Sequence, residues 1–172
     1  MASIIGIVAS LAAGATSPAP LVAENTITTN PAGYLLPFIQ IEFERKISDQ
    51  FSVFMEPGWF TTGSIAAARY SAVTLTVGAR HYPMGTAPFG WFVFPEAFVM
   101  VGGTDAGPVQ ATPGVGWASG YAFDLSPFVL SLGVGVNAIF WGRSPEAPFG
   151  GGVLGSGWMT LPFARLNVGF AF

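Results

Sequence analysis

The sequence contains no cysteine, a single histidine and few charges. Without Cys there is no disulfide framework and no thiolate metal site. One His among scattered carboxylates makes no ligand cluster, so neither a metal nor a cofactor is expected. Charged residues are 9% of the 172-residue chain, against about 25% in a typical soluble domain. Six basic and nine acidic residues are too few to cover a soluble surface. A net charge of −3 with so few Lys and Arg excludes the basic face that nucleic acid requires. Long hydrophobic runs are missing too. A membrane-spanning helix needs about 20 consecutive apolar residues. The best candidate, "ASIIGIVASLAAGA" at 2–15, is too short, and beyond it Pro and Gly interrupt every apolar run.

What is present points elsewhere. Hydrophobic residues make up 51%, aromatics 15%, glycines number 23, and mean hydropathy is +0.56. That balance fits a membrane or tightly assembled protein of one domain. With spanning helices excluded, a closed β-barrel is the remaining solution, because lipid cannot satisfy an open backbone edge. Residues 1–23 form a separate segment. Residues 2–14 read as the apolar core of a signal peptide, with Ala13-Gly14-Ala15 as a small-residue cleavage site. A flexible or surface-packed arm is the alternative. "TSPAPLVA" then leads into a barrel domain over 24–172.

Alternation of side chains predicts eight strands. The first, near Leu21–Asn30, has weak contrast between faces. The others cover 36–44, 51–60, 72–82, 89–101, 109–123, 128–141 and the terminal "LPFARLNVGFAF". In the last, Ala164, Leu166, Val168, Phe170 and Phe172 oppose Arg165, Asn167 and Gly169. Six charges fall inside strands: Glu42, Glu44, Glu56, Arg80, Glu96 and Arg165. Each sits on the parity opposite its strand's main apolar row.

Three features favour a membrane barrel over a soluble one. The polar face is poor in charge and mostly Gly, Ser, Thr and Asn, suited to a narrow interior. Aromatics (Tyr34, Trp59, Tyr82, Phe89, Tyr121, Phe128, Trp141 and Trp158) sit where interfacial girdles belong. Expected long loops at 61–71, 102–108 and 142–160 alternate with tight turns at 45–50, 83–88 and 124–127. The fold expected is thus all-β, an eight-stranded antiparallel up-and-down transmembrane β-barrel whose lumen is filled by side chains.

The stretch "ENTITTNPAGYLLPFIQIEFERKISDQFSVFMEPGWF", the centre "LTVGARHYP" and "GVGWASGYAF", and the end "LPFARLNVGFAF" carry a resemblance. Together they resemble small bacterial outer-membrane β-barrel domains of the OmpA/OmpW-like eight-stranded kind. The resemblance spans most of 24–172. It implies an outer membrane of the Gram-negative type, with membrane lipid and the barrel-assembly machinery as partners. The assembly signal would be Leu166, Val168, Phe170 and Phe172.

The remaining chemistry is weighed as follows. His81 stands at a predicted strand end on the apolar parity, without the partnered arrangement a hydrolase needs, so no enzyme is expected. Glu42, Glu44, Glu56, Arg80, Glu96, Asn137 and Arg165 are expected to form a lumen polar network. Arg80 and Arg165 should pair there with Glu42, Glu56 or Glu96, since a buried charge is costly unless paired. The Gly-rich segments lack the Lys-Ser/Thr of a phosphate loop. They are expected to let a small barrel bend. The functional expectation is a structural or interaction role. A narrow channel for small or apolar solutes is one alternative. A soluble β-barrel binding a hydrophobic ligand is the other. Neither a particular ligand nor an oligomeric state is encoded legibly.

Overall fold

The computed structural model describes residues 23–35, 37–65, 68–105, 107–141 and 157–172. The expected signal-like segment therefore lies almost wholly outside the described residues. The strands are β1 (Asn25–Thr29), β2 (Phe38–Ser48), β3 (Phe51–Ile65), β4 (Ala68–His81), β5 (Gly90–Thr104), β6 (Gln110–Leu125), β7 (Phe128–Trp141) and β8 (Gly157–Ala171). Each pairs antiparallel with its sequence neighbour, and β1 pairs with β8 to close an eight-stranded up-and-down barrel.

The closing seam joins the weakest strand to the most regular one. Thr26 faces Ala171, Ile27 faces Phe170, Thr28 faces Gly169 and Thr29 faces Val168. The backbone carbonyl of Phe172 also accepts from Asn25 N at 2.8 Å. Thus β8 loses its open edge to β1. β1 is short, and beyond Thr29 a 3-10 turn over Pro31–Tyr34 continues the wall between β2 and β8. Asn30 starts that turn by accepting from Ala32 N at 3.0 Å.

Side chains obey the period of two throughout. Exposed positions hold Ile41, Val53, Leu75, Val115, Leu132, Val134 and Phe170, among many others. The alternate positions are buried and hold Glu42, Glu56, Arg80, Glu96, Arg165 and Asn167. The barrel is therefore apolar outside and ionic inside. Among the described residues, no helix is long and apolar enough to cross a membrane.

Several expectations about connections need correction. The expected loop at 61–71 is mostly strand: Thr61 pairs with Ser71, Thr62 with Tyr70 and Ile65 with Ala68. Arg45 and Lys46, expected in a turn, belong to β2, which runs to Ser48. Backbone pairing extended these strands where side-chain contrast had faded. Residues 83–88 are not a plain exposed turn. They fold over the barrel end where β1 starts and β8 ends, burying Ala87 and Pro88. Ala87 N donates to Asp49 O at 2.8 Å, which ties this segment to the neighbouring β2–β3 turn. Most of the expected loop at 142–160 lies outside the described residues.

Candidate functional site

Alternation carries the strand charges into one lumen, and the register decides which of them meet. Arg80 on β4 reaches two carboxylates of β2. Its Nη2 donates to Glu42 Oε2 at 2.6 Å, and its Nη1 pairs with Glu44. Glu44 also accepts from Tyr82 Oη at 2.6 Å and from the Ser52 hydroxyl. Arg165 on β8 crosses to three strands. It lies 3.2 Å from Glu42, 3.5 Å from Glu56 and 3.2 Å from Glu96. Glu42 is shared by both guanidiniums and takes a longer bond from Thr28 Oγ1 at 3.4 Å.

Aromatic rings wall this network. The Arg80 guanidinium carbon lies 4.7 Å from the Phe54 centroid, 4.9 Å from Phe92 and 5.2 Å from Phe94. That of Arg165 lies 5.3 Å from Phe94 and 5.7 Å from Phe163. A cation held against aromatic faces in a dry interior gains more than it does in water. Phe54, Tyr82, Phe92, Phe94, Ala118 and Ala122 are all buried together with Ala87. This cluster lies in the lumen toward the end where β1 starts and β8 ends.

The lumen differs toward the other end, where β2, β4, β6 and β8 begin. There a cavity of about 350 Å³ is bounded by Gln40, Glu56, Thr76, Glu96, Phe98, Asn137, Phe163 and Arg165, with Gly33 at its rim. The buried ring cluster and this cavity thus lie at different levels of the barrel.

All seven residues of the expected network lie on inward positions, but they are not equally connected. Arg80 and Arg165 join Glu42, Glu44, Glu56 and Glu96. Asn137 Oδ1 and Glu56 Oε2 are buried without a hydrogen-bond partner among the described residues. The pairing of Arg80 with Glu44 was not anticipated, nor were Ser52, Tyr82 and the ring wall. Their signal was available, because Phe54, Tyr82, Phe92 and Phe94 share the parity of the charges. Tyr82 is fully buried at 0% exposure, which corrects its assignment to an interfacial girdle. It stands two residues after Arg80 on the same face. His81, between them, points outward and stacks on Phe51 at 4.6 Å.

The inward glycines have a role other than bending. Gly78 stands opposite Phe54, Gly114 opposite Phe98, Gly120 opposite Phe92 and Gly135 opposite Phe163. A Cβ on Gly78 would stand 2.5 Å from the Phe54 ring, and one on Gly114 would collide with Phe98. Glycine is the small partner that lets a large ring lie flat across the neighbouring strand.

Leu166 is half-buried, and Val168, Phe170 and Phe172 are exposed, so the closing strand's row faces outward. Among the described residues, no three His, Cys, Asp or Glu side chains are grouped to hold a metal ion. The chain matches no family model, and no curated protein or solved structure shows significant similarity to it. Its class rests on the fold itself: a closed eight-stranded antiparallel up-and-down barrel, ionic inside and apolar outside.

Proposed function

We propose that the chain is an integral outer-membrane β-barrel protein, non-enzymatic, with a structural or interaction role in a Gram-negative-type envelope. The observation that carries this reading is the outward face. Ile41, Val53, Met55, Val73, Leu75, Val77, Val134, Val136 and Phe170 are all exposed there. A continuous apolar surface of this kind needs a cover, and lipid supplies one around a closed barrel. Among the described strand residues, the charged outward side chains are Arg45 and Arg69. They stand near opposite barrel ends, Arg45 close to the β2–β3 turn and Arg69 close to the β3–β4 hairpin.

Length supports the same reading. β3 to β8 each have 14 to 16 residues. At about 3.3 Å per residue and a tilt near 40°, such strands stand roughly 35–40 Å tall. That exceeds the apolar band of about 25 Å in outer-membrane barrels. The ring cluster around Arg80 blocks the lumen at one end, so the role is not that of an open pore. In the same reading, membrane lipid and the barrel-assembly machinery are the partners, the latter reading the row Leu166, Val168, Phe170 and Phe172. The family is that of small bacterial outer-membrane barrel domains.

The test uses tryptophan. Trp59, Trp91, Trp117 and Trp158 are exposed on the outside. Refolded into vesicles of brominated phospholipid, the protein should lose most of its Trp emission, and its folded band should migrate differently before and after boiling. A protein that stays folded in buffer without detergent, with emission untouched by brominated lipid, would instead be a soluble barrel.

A further inference from the structure

Among the described residues the lumen charge does not balance. Glu42, Glu44, Glu56 and Glu96 are buried, and the basic side chains paired with them there are Arg80 and Arg165. Arg80 is committed to Glu42 and Glu44, so Glu56 and Glu96 share a single guanidinium with Glu42. The deficit therefore falls at the 350 Å³ cavity, which both of these carboxylates line.

A second observation is independent of the charge count. Glu56 is 4% exposed, lines this cavity, and its Oε2 has no hydrogen-bond partner among the described residues. Asn137 Oδ1, another acceptor on the same cavity, is likewise unpartnered. Asn137 Oδ1 and Glu96 Oε1 converge over Gly116, where a Cβ would collide with both. Buried acceptors are seldom left without donors. The rest of the lining includes Phe38, Phe98 and Phe163, whose ring faces attract cations. What the cavity offers is therefore acceptors, negative charge and aromatic faces.

We propose that this half of the lumen is a binding site for a small organic cation, a primary ammonium or guanidinium that donates to Glu56 Oε2 and Asn137 Oδ1. A bare metal ion fits less well, because no group of three ligating side chains is present among the described residues. An N–H donor uses single, separated acceptors, and its carbon chain is satisfied by the phenylalanine faces. The inference rests on the closed barrel and its charge balance, not on membrane insertion.

The experiment is calorimetric titration of the full chain, folded in detergent, with butylguanidinium and butylammonium. Butylurea serves as the neutral isostere and magnesium as the bare cation. Saturable binding of the two organic cations is expected, at least tenfold tighter than butylurea or magnesium. Glu56→Gln and, separately, Asn137→Leu should each weaken it about tenfold, equivalent to ~1.4 kcal/mol. Far-ultraviolet circular dichroism shows that each variant is folded, and if one is not, the other decides. Equal binding of butylurea, tighter binding of magnesium, unaltered affinity in a folded variant, or no saturable binding each overturns the proposal. In the last case, protonation of a carboxylate balances the lumen. Failure of this titration leaves the brominated-lipid result untouched, so the two readings fail separately.

Discussion

Arg165 on β8 and Glu96 on β5 meet at 3.2 Å across the lumen although they are 69 residues apart in sequence. The contact ties opposite walls of the barrel together. Arg165 also serves Glu42 and Glu56, so its loss leaves three carboxylates short of a counter-charge at once. Arg165→Met should cost about 3–5 kcal/mol, the range for removing one partner of a buried ion pair. Arg165→Lys should recover part of it, because a single ammonium still supplies the charge. Urea unfolding in detergent micelles measures both, and a loss below about 1 kcal/mol for the Met variant would refute the network's structural role.

The glycine–ring pairs predict opposite outcomes for the same substitution. Gly114→Ala drives a Cβ into the Phe98 ring. It should destabilise by about 1–3 kcal/mol, with much of the loss restored by Phe98→Leu. At Gly133 the nearest atom to a new Cβ is Ser119 O at 3.4 Å, an ordinary contact. Gly133→Ala should be neutral or stabilising by up to about 1 kcal/mol. Equal penalties at the two sites would mean that space is not what selects glycine.

An ion pair between the end of β2 and the β2–β3 turn supplies the pH dependence. Lys46 Nζ donates to Asp49 Oδ1 at 2.7 Å. This bond, with the charge of Lys46, holds the Asp49 carboxyl below the ordinary aspartate range. A carboxyl lowered in the folded state contributes stability above its unfolded pKa of about 3.9 and loses it as pH falls through the folded value. The pair is exposed, so its effect on unfolding is small. The direct readout is the carboxyl carbon shift of Asp49. Lys46→Ala should move that titration upward, and an unmoved midpoint would contradict the assignment.

Phe172 separates assembly from stability. Its side chain is 63% exposed, while its backbone exchanges hydrogen bonds with Asn25. Phe172→Ala should leave urea stability in detergent within about 0.5 kcal/mol of the parent, as surface substitutions usually do. Folded yield in a bacterial outer membrane should fall. Deleting residue 172 should lower both. Unchanged cellular yield in Phe172→Ala would remove the terminal aromatic from any assembly signal.

Depth in the bilayer gives the last prediction. Val134 lies near the middle of β7 and is 67% exposed, whereas Leu125 ends β6. In lipid, Val134→Arg should cost about 2–4 kcal/mol and Leu125→Arg about 0–1 kcal/mol. Equal, small costs would argue that lipid does not contact this face.

Much of the barrel was legible from one regularity. The side-chain period of two fixes which face each residue takes once a strand forms. Arg165, Asn167 and Gly169 could thus be placed opposite Leu166, Val168 and Phe170 by reading the chain alone. The same parity applied to Tyr82 puts it inside with Arg80. Proximity to a strand end points to a girdle for Tyr82, but alternation decides its face. The stretch 61–71 differs from a loop for another reason. Thr, Ser, Gly and Ala give little contrast between faces, while backbone pairing needs none.

The partners themselves were not legible. That Arg80 takes Glu44 as well as Glu42, that Phe98 lies over Gly114, and that one oxygen of Glu56 has no partner among the described residues all depend on register and curvature. These bring together residues from neighbouring strands, as with Phe98 and Gly114, and from strands that are not adjacent, as with Arg80 and Glu44. The sequence by itself determined the alternation and which residues share a face, because those are local properties of extended chain. Only the tertiary structure decided which charges meet, where the ring cluster lies and where the cavity stands, because closure of the barrel creates those contacts.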